Sequence, residues 1–238
     1  MTQDPAGGHA ARAVAGTGAR DRVGANLARV AGILLAAGAG SRLGQPKALV
    51  ELDGRTLAER GVALLREGGA DPVLIVTGAA PVSMPGVRAV HNPDWRTGMG
   101  SSLAAGLRAL GAGGATLIGD DPGAAVVALA DQPLVGAGAV RRLIAAYRDG
   151  ASVVVAAYDG KPRNPVLIAR RHWESVLELA TGDTGARPFL RAHPELVTLI
   201  ECGDTGSAVD VDTPEDLARV RGVSALRSDE NYLFPTGR

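Results

Sequence analysis

Short apolar runs, closed off by glycine, proline or charged residues, alternate along this chain with segments of helical period. No other feature constrains the fold as strongly. A short run with no polar alternation is the pattern of a strand covered on both faces. The runs predict strands over residues 30–36, 72–77, 87–90, 125–130, 152–158 and 166–169. Helices are predicted over 56–67, 101–110, 137–147 and 214–220. The first carries Leu57, Val62, Leu64 and Leu65 and stops at Gly68 and Gly69. Strands alternating with helices mean βαβ units. The expected fold class is therefore α/β: a doubly wound, mostly parallel sheet with helices on both faces. Residues 158–208 are less regular and predict a small antiparallel excursion. Ligands of such sheets sit beyond the carboxyl ends of the strands. Chemistry is expected in the loops after Ala36, Thr77, Ala130 and Val209, with Thr77 and Gly78 at the second of these.

Composition narrows the function. The 238 residues are enough for one large α/β domain with a real core. The 25 Lys and Arg residues balance 25 Asp and Glu, which argues against nonspecific nucleic-acid binding but not against a local basic pocket. Cys202 is the one cysteine, so no internal disulfide and no cysteine metal cluster is possible. His9, His91, His172 and His193 show no ligand spacing. No apolar run is long enough to span a membrane, and residues 1–28 lack the apolar core of a signal peptide. The expectation is a cytoplasmic protein with a disordered leader over 1–28, a single domain over 29–221 and a frayed tail over 222–238.

The first apolar run opens into GAGSRLGQPK, residues 38–47. The dinucleotide fingerprint G-x-G-x-x-G fails, because Leu43 stands where its last glycine belongs and the glycine falls at Gly44. The P-loop fails too: Lys47 lies three residues past Gly44, behind Pro46, and Ala48 follows it. A plain glycine turn is one reading that remains. The other is a loop whose backbone N–H groups point outward, with Arg42 and Lys47 adding two cations and Pro46 adding stiffness. Such a loop cradles an anion, and two cations point to a polyphosphate.

Carboxylates stand at two further strand ends. The run over 125–130 leads into ADQPLV, so Asp131 sits over the ligand crevice and Pro133 stops the strand. A helix cap is the competing reading, weakened because the next helix begins only near Ala137. In AVDVDTPEDL, Asp212, Thr213, Pro214 and Glu215 read as a helix start with Asp212 or Thr213 as its cap. Asp210 is left two residues upstream. Magnesium takes one or two such carboxylates plus phosphates and water.

The string A-A-G-x-x-x-R-x-G-x-x-K, here Ala36, Ala37, Gly38, Arg42, Gly44 and Lys47, resembles the signature loop of the MobA-like nucleotidyltransferases. These belong to the wider nucleotide-diphospho-sugar transferase group and its Rossmann-like fold. The resemblance implies that Ala36, Ala37, Gly38, Ala39 and Gly40 wrap a nucleoside triphosphate. It implies that Arg42 and Lys47 neutralise the phosphates, Lys47 near the α-phosphate. The L-A-D-Q-P match makes Asp131 a holder of Mg²⁺, and the D-x-D-T-P-E-D match makes Asp210 the second. Lys47, Arg42 and Asp131 are thus the expected catalytic residues. NPDWRTGMGSS resembles a family segment beside the nucleotide and brings in Gly100, Ser101 and Ser102, although both serines also read as helix caps.

Within the family the similarity is to the molybdenum cofactor cytidylyltransferases, since Ala37 stands where guanylyltransferases carry glycine. A methyl group over the base favours a narrower pyrimidine, a difference that discriminates weakly. YDGKPRNPVLI follows that subgroup's acceptor stretch in part, with Arg163 and Asn164 replacing its glycine and histidine. GDTGAR resembles another of its loops and places Arg187 toward an anionic acceptor. The expected reaction moves CMP from CTP onto a phosphate of molybdopterin, with transient contact to a molybdoenzyme or its chaperone. Alternatives are another phosphorylated acceptor (a sugar phosphate, methylerythritol phosphate or phospholactate) or a nucleotide-binding chaperone without turnover. A hydrolase built on Gly100-Ser101-Ser102-Leu103-Ala104 with Asp131 and His172 or His193 is the distant rival, because no apolar strand precedes Ser102.

Overall fold

A computed structural model describes residues 29–112 and 121–233, residues 224–233 by backbone alone. The expected leader, 1–28, lies outside the described residues. Seven strands form one sheet in the order β5-β4-β1-β6-β8-β7-β9. They are β1 (Val30–Leu35), β4 (Val73–Thr77), β5 (Arg88–His91), β6 (Ala124–Leu129), β7 (Val153–Tyr158), β8 (Lys161–Ala169) and β9 (Val197–Glu201). A two-stranded ribbon, β2 (Glu51–Leu52) and β3 (Arg55–Thr56), lies outside the sheet. The helices are α1 (Leu57–Glu67), α2 (Met99–Ala109), α3 (Ala137–Arg148), α4 (Trp173–Leu179), α5 (Arg187–Ala192) and α6 (Pro214–Leu233).

The unbroken apolar runs became the inner strands. All six residues of β1 are buried, and β1 pairs parallel with β4 on one side and β6 on the other. Period-two geometry then divides the core. Val30 and Leu34 face a layer containing Val62 and Leu65 of α1 and Val140, Leu143 and Ile144 of α3. Ala31, Ile33 and Leu35 face Leu103 and Leu107 of α2, Trp173 of α4 and Phe189 of α5. Helix α1 starts where Thr56 and Glu59 close a reciprocal capping box, with Thr56 N to Glu59 Oε2 at 2.7 Å and Glu59 N to Thr56 Oγ1 at 3.2 Å. Removing such a cap typically costs about 1 kcal/mol.

Strand β8 is the antiparallel excursion. It runs against both β6 and β7, whereas β7 pairs parallel with β9. Strand β8 is longer than the apolar run that announced it, because its first residues, Lys161 to Arg163, are exposed and polar. Helix α6 also outruns its prediction, continuing through residues 222–233 that were expected to fray. Among its residues with described side chains, Val220 is the last in the small core under the β2–β3 ribbon.

After β1 the chain moves outward to β4 and β5, then crosses back to β6 on the other side of β1. The sheet's topological switch point therefore lies between β1 and β6. Leu35 pairs with Leu129, so the segments after β1 and β6 leave the sheet side by side. The Ala130 amide still donates to the Leu35 carbonyl at 2.9–3.0 Å spacing typical of the ladder, here 3.0 Å.

Candidate active site

Two cavities open over the carboxyl end of the sheet, and they share a wall. The first, about 720 Å³, is lined by residues 35–42, Lys47, Trp95, Arg96, Gly98, Met99, Ser102, Asp131, Asp183 and Asp212, among others. The second, about 940 Å³, is lined by Gln132, Arg163, Asn164, Arg187, Arg191, Asp210 and several apolar side chains. Met99, Leu129, Asp131 and Asp212 line both.

The first cavity is built from backbone. The loop folds back on itself, with the Lys47 amide donating to the Gly38 carbonyl at 3.3 Å and the Leu43 amide to the Gly40 carbonyl at 2.8 Å. Gly40 has φ +59°, and a Cβ there would stand 2.1 Å from the Gln45 carbonyl oxygen. No other residue fits that turn without moving the loop. Gly78, at the end of β4, is held for a different reason. A Cβ there would lie 2.5 Å from Trp95 and 2.9 Å from Ala37. The indole is thereby packed close against the β4 exit and forms one wall of the cavity, with the Arg96 guanidinium 4.4 Å over its ring. Thr77 itself is buried in the sheet end.

Charge concentrates on the shared wall. Lys47 Nζ donates to Asp131 Oδ2 at 2.6 Å and also to Asp212 Oδ1. Arg42 pairs with the other oxygen, Asp212 Oδ2, at 3.0 Å. The second carboxylate is brought in by the backbone, because the Val211 amide donates to the Asp131 carbonyl at 2.8 Å. Burial alone would lower the Lys47 pKa, but Asp131 and Asp212 outweigh it and raise it. The Lys47 hydrogen bond holds Asp212 below the usual carboxylate range. Asp131 moves the other way: burial pushes it up against the pull of Lys47, and Asp210 and Asp212 add repulsion. Its second oxygen, Oδ1, is buried with no hydrogen-bond partner.

Sequence reasoning makes Asp212 one of two candidate helix caps; in the structure Lys47 and Arg42 reach it. Of the two, Thr213 caps α6: Asp216 N donates to Thr213 Oγ1 at 3.2 Å and Thr213 N to Asp216 Oδ2 at 3.0 Å. The S/T-x-x-[D/E] spacing of Thr213 and Asp216 was the signal available for this. With the cap so filled, Asp212 is free to face Lys47. Asp210 is exposed, lines only the second cavity and accepts from Gln132 Nε2 at 2.9 Å. Ser101 and Ser102 are not caps either. Gly98 occupies that position, and both hydroxyls accept from Asn92 Nδ2, at 2.9 and 3.0 Å. Ser102 faces the first cavity, while Gly100 packs its α-carbon against the Ala180–Thr181 backbone. This leaves the hydrolase reading without a nucleophile–base pair: Ser102 is tied to Asn92, and His172 and His193 pack on Phe189.

Arg163 and Asn164 reach the second cavity because β8 runs backwards. Its first residues lie where the parallel strands end, past a bulge between Val155 and Ala156. Arg187 joins them from the start of α5, and Asp183, four residues earlier on the same loop, lines the first cavity. Trp95, Arg96 and Asp183 were not singled out from sequence. They lie within the NPDWRTGMGSS and GDTGAR segments, whose resemblance drew attention to other residues.

A phosphate-sized loop with two cations, facing carboxylates across the switch point of a doubly wound sheet, is the architecture of a nucleotide-handling α/β protein. The chain belongs to the family of the MobA-like NTP transferase domain, whose model matches residues 32–197. Among its relatives is the nicotine blue oxidoreductase of Paenarthrobacter nicotinovorans, 40% identical over 82% of this chain and 98% of that one. The probable molybdenum cofactor guanylyltransferase of Opitutus terrae is 39% identical over 57% of this chain and 64% of that one. The crystal structure of a Mycobacterium tuberculosis rv0371c homolog from mycobacterium sp. strain JC1 superposes with TM-score 0.70 at 31% identity, covering 84% of this chain and 98% of that one. The fold is also that of a 2-C-methyl-D-erythritol 4-phosphate cytidylyltransferase from Thermus thermophilus, at TM-score 0.60 and 21% identity. Among the described residues no helix is long and apolar enough to cross a membrane.

Proposed function

We propose that this protein is a Mg²⁺-dependent nucleotidyltransferase that moves CMP from CTP onto a phosphate of a molybdopterin-type acceptor and releases pyrophosphate. The observation that carries it is the pair of cavities meeting at Asp131 and Asp212. One reactant binds on each side, and the reacting atoms meet at the charged wall. The triphosphate lies along residues 36–42, its charge taken up by backbone N–H groups, Arg42 and Lys47. The acceptor lies against Arg163, Asn164 and Arg187. Its phosphate oxygen attacks the α-phosphorus, the bond to the bridging oxygen breaks, and pyrophosphate carries that oxygen away. A phosphate monoester is largely dianionic at pH 7, with a second pKa of about 6, so no general base is required. The chain's contribution is positioning and charge neutralisation.

The donor set fits magnesium: hard carboxylate oxygens, one of them the buried, unpartnered Oδ1 of Asp131. Asp131 would hold the ion, with Asp210 or Asp212 as its second ligand. Bound there, it would add charge stabilisation to the reacting phosphates. Ala37, against the Gly78–Trp95 wall, supports the pyrimidine preference.

The test is pyrophosphate release with Mg²⁺, molybdenum cofactor and each of CTP, GTP, ATP and UTP. Release with CTP alone is expected. Release with GTP keeps the reaction and removes the base assignment. Nucleotide binding with no release from any of the four favours the non-catalytic chaperone. An oxidoreductase is the second reading, supported by the 40% identity to a relative of that name. Oxidation of NADH or NADPH coupled to reduction of a heteroaromatic compound, without pyrophosphate release, would establish it instead.

A further inference from the structure

The chain has two lysines, Lys47 and Lys161; its other side chains of permanent positive charge are arginines. Lys47 is the one placed between two carboxylates. Its Nζ reaches Asp131 at 2.6 Å and also Asp212, and its side chain is only 19% exposed. Arg42 takes the outer oxygen of Asp212 from a side chain 67% exposed. The division follows from chemistry. A compact ammonium with rotatable donors fits between two converging carboxylates, whereas a planar guanidinium serves one carboxylate from the rim. A divalent cation is likewise compact and oxygen-seeking. Lys47 thus stands on the same two carboxylates that such an ion would take.

We propose that Lys47 is the resting counter-ion of the metal site. Its ammonium and a divalent cation compete for Asp131 and Asp212. The triphosphate resolves the competition by drawing Lys47 and Arg42 onto its own oxygens, so that metal binding is coupled to nucleotide binding. This rests on the reading of Asp131 as a metal holder. The device has a physical purpose. Two carboxylates held together in a partly buried wall repel each other and lose hydration. Lys47 neutralises them while the site is empty of substrate. The other charged groups nearby are already placed otherwise: Asp210 accepts from Gln132, and Arg96 lies over Trp95.

Binding of Mn²⁺ to the full chain, followed by the electron-paramagnetic signal of free Mn²⁺ against a protein-free control, tests this. It is run with and without an α,β-methylene analogue of CTP that cannot be cleaved. Wild type is expected to bind Mn²⁺ weakly alone and at least about tenfold more tightly with the analogue. Lys47→Met is expected to bind Mn²⁺ alone about tenfold more tightly than wild type, the scale of one lost charge-assisted hydrogen bond. Lys47→Arg, which keeps a cation, should gain less. Equal Mn²⁺ affinity of Lys47→Met and wild type without nucleotide overturns the competition while leaving the metal site standing. No Mn²⁺ binding in any state, analogue included, overturns the metal site and the competition together. If circular dichroism shows that Lys47→Met does not fold, the wild-type comparison decides: binding as tight without the analogue as with it overturns the proposal.

Discussion

The two cavities are made of different material. The first, the proposed nucleotide side, is a backbone object, fixed by a glycine turn, two strand exits and a loop that hydrogen-bonds to itself. The second, the proposed acceptor side, is a side-chain object, assembled from a reversed strand, a short helix and an edge strand. The first tolerates almost no change in chain path. The second can change its chemistry by exchanging side chains on an unchanged frame. A catalyst that keeps one substrate and varies the other would be divided in this way.

Substitutions on each side should break in different ways. The largest effect is expected at the wall both sides share. Asp131→Asn should lower kcat for pyrophosphate release by roughly 10²–10³-fold, the loss typical of removing one placed electrostatic group. In the same assay Asp212→Asn should cost more than Asp210→Asn, because only Asp212 lines both cavities. The reverse order would return the second metal position to Asp210. Gly40→Ala comes next. With φ +59° and a Cβ 2.1 Å from the Gln45 carbonyl oxygen, it should destabilise the fold by about 1–3 kcal/mol in thermal unfolding and weaken nucleotide binding in calorimetry. Smaller and one-sided effects belong to the acceptor cavity. Arg163→Ala and Arg187→Ala should each raise the acceptor KM by about tenfold, one charge-assisted contact, and leave the CTP KM alone. A matching rise in CTP KM would show that the two sides are not separable. The smallest change is Ala37→Gly, which should shift the CTP-to-GTP ratio of kcat/KM toward GTP by tenfold or less.

This contrast also explains what could be read from the sequence. The inner strands were legible because full burial leaves unbroken apolar runs, as in Val30 to Leu35. The turn after β1 was legible because its constraints are local: Gly40, Pro46 and Lys47 all lie within eight residues of chain. Strand β8 was only half legible, since its first residues, paired with the end of β7, are exposed and carry no apolar pattern. The choice of Asp212 or Thr213 as the cap was left open for a reason that lies in three dimensions. Helix-start residues and site residues share one short string, and only the Thr213–Asp216 capping contacts show which carboxylate is left for Lys47. Trp95 was invisible because its place depends on the bare α-carbon of Gly78, seventeen residues away in the chain.

The reversed direction of β8 has an evolutionary corollary. Arg163 and Asn164 sit just beyond the turn at Asp159 and Gly160 that joins β7 to β8. On the proposed reading, acceptor preference is written beside a hairpin tip, on the exposed first residues of β8, where side-chain exchanges leave the buried stretch of that strand untouched. On the same reading, a lineage could retarget this protein by editing that tip and keep the loop after β1 intact. Grafting the hairpin from a relative with a known acceptor would therefore be the shortest route to a changed substrate.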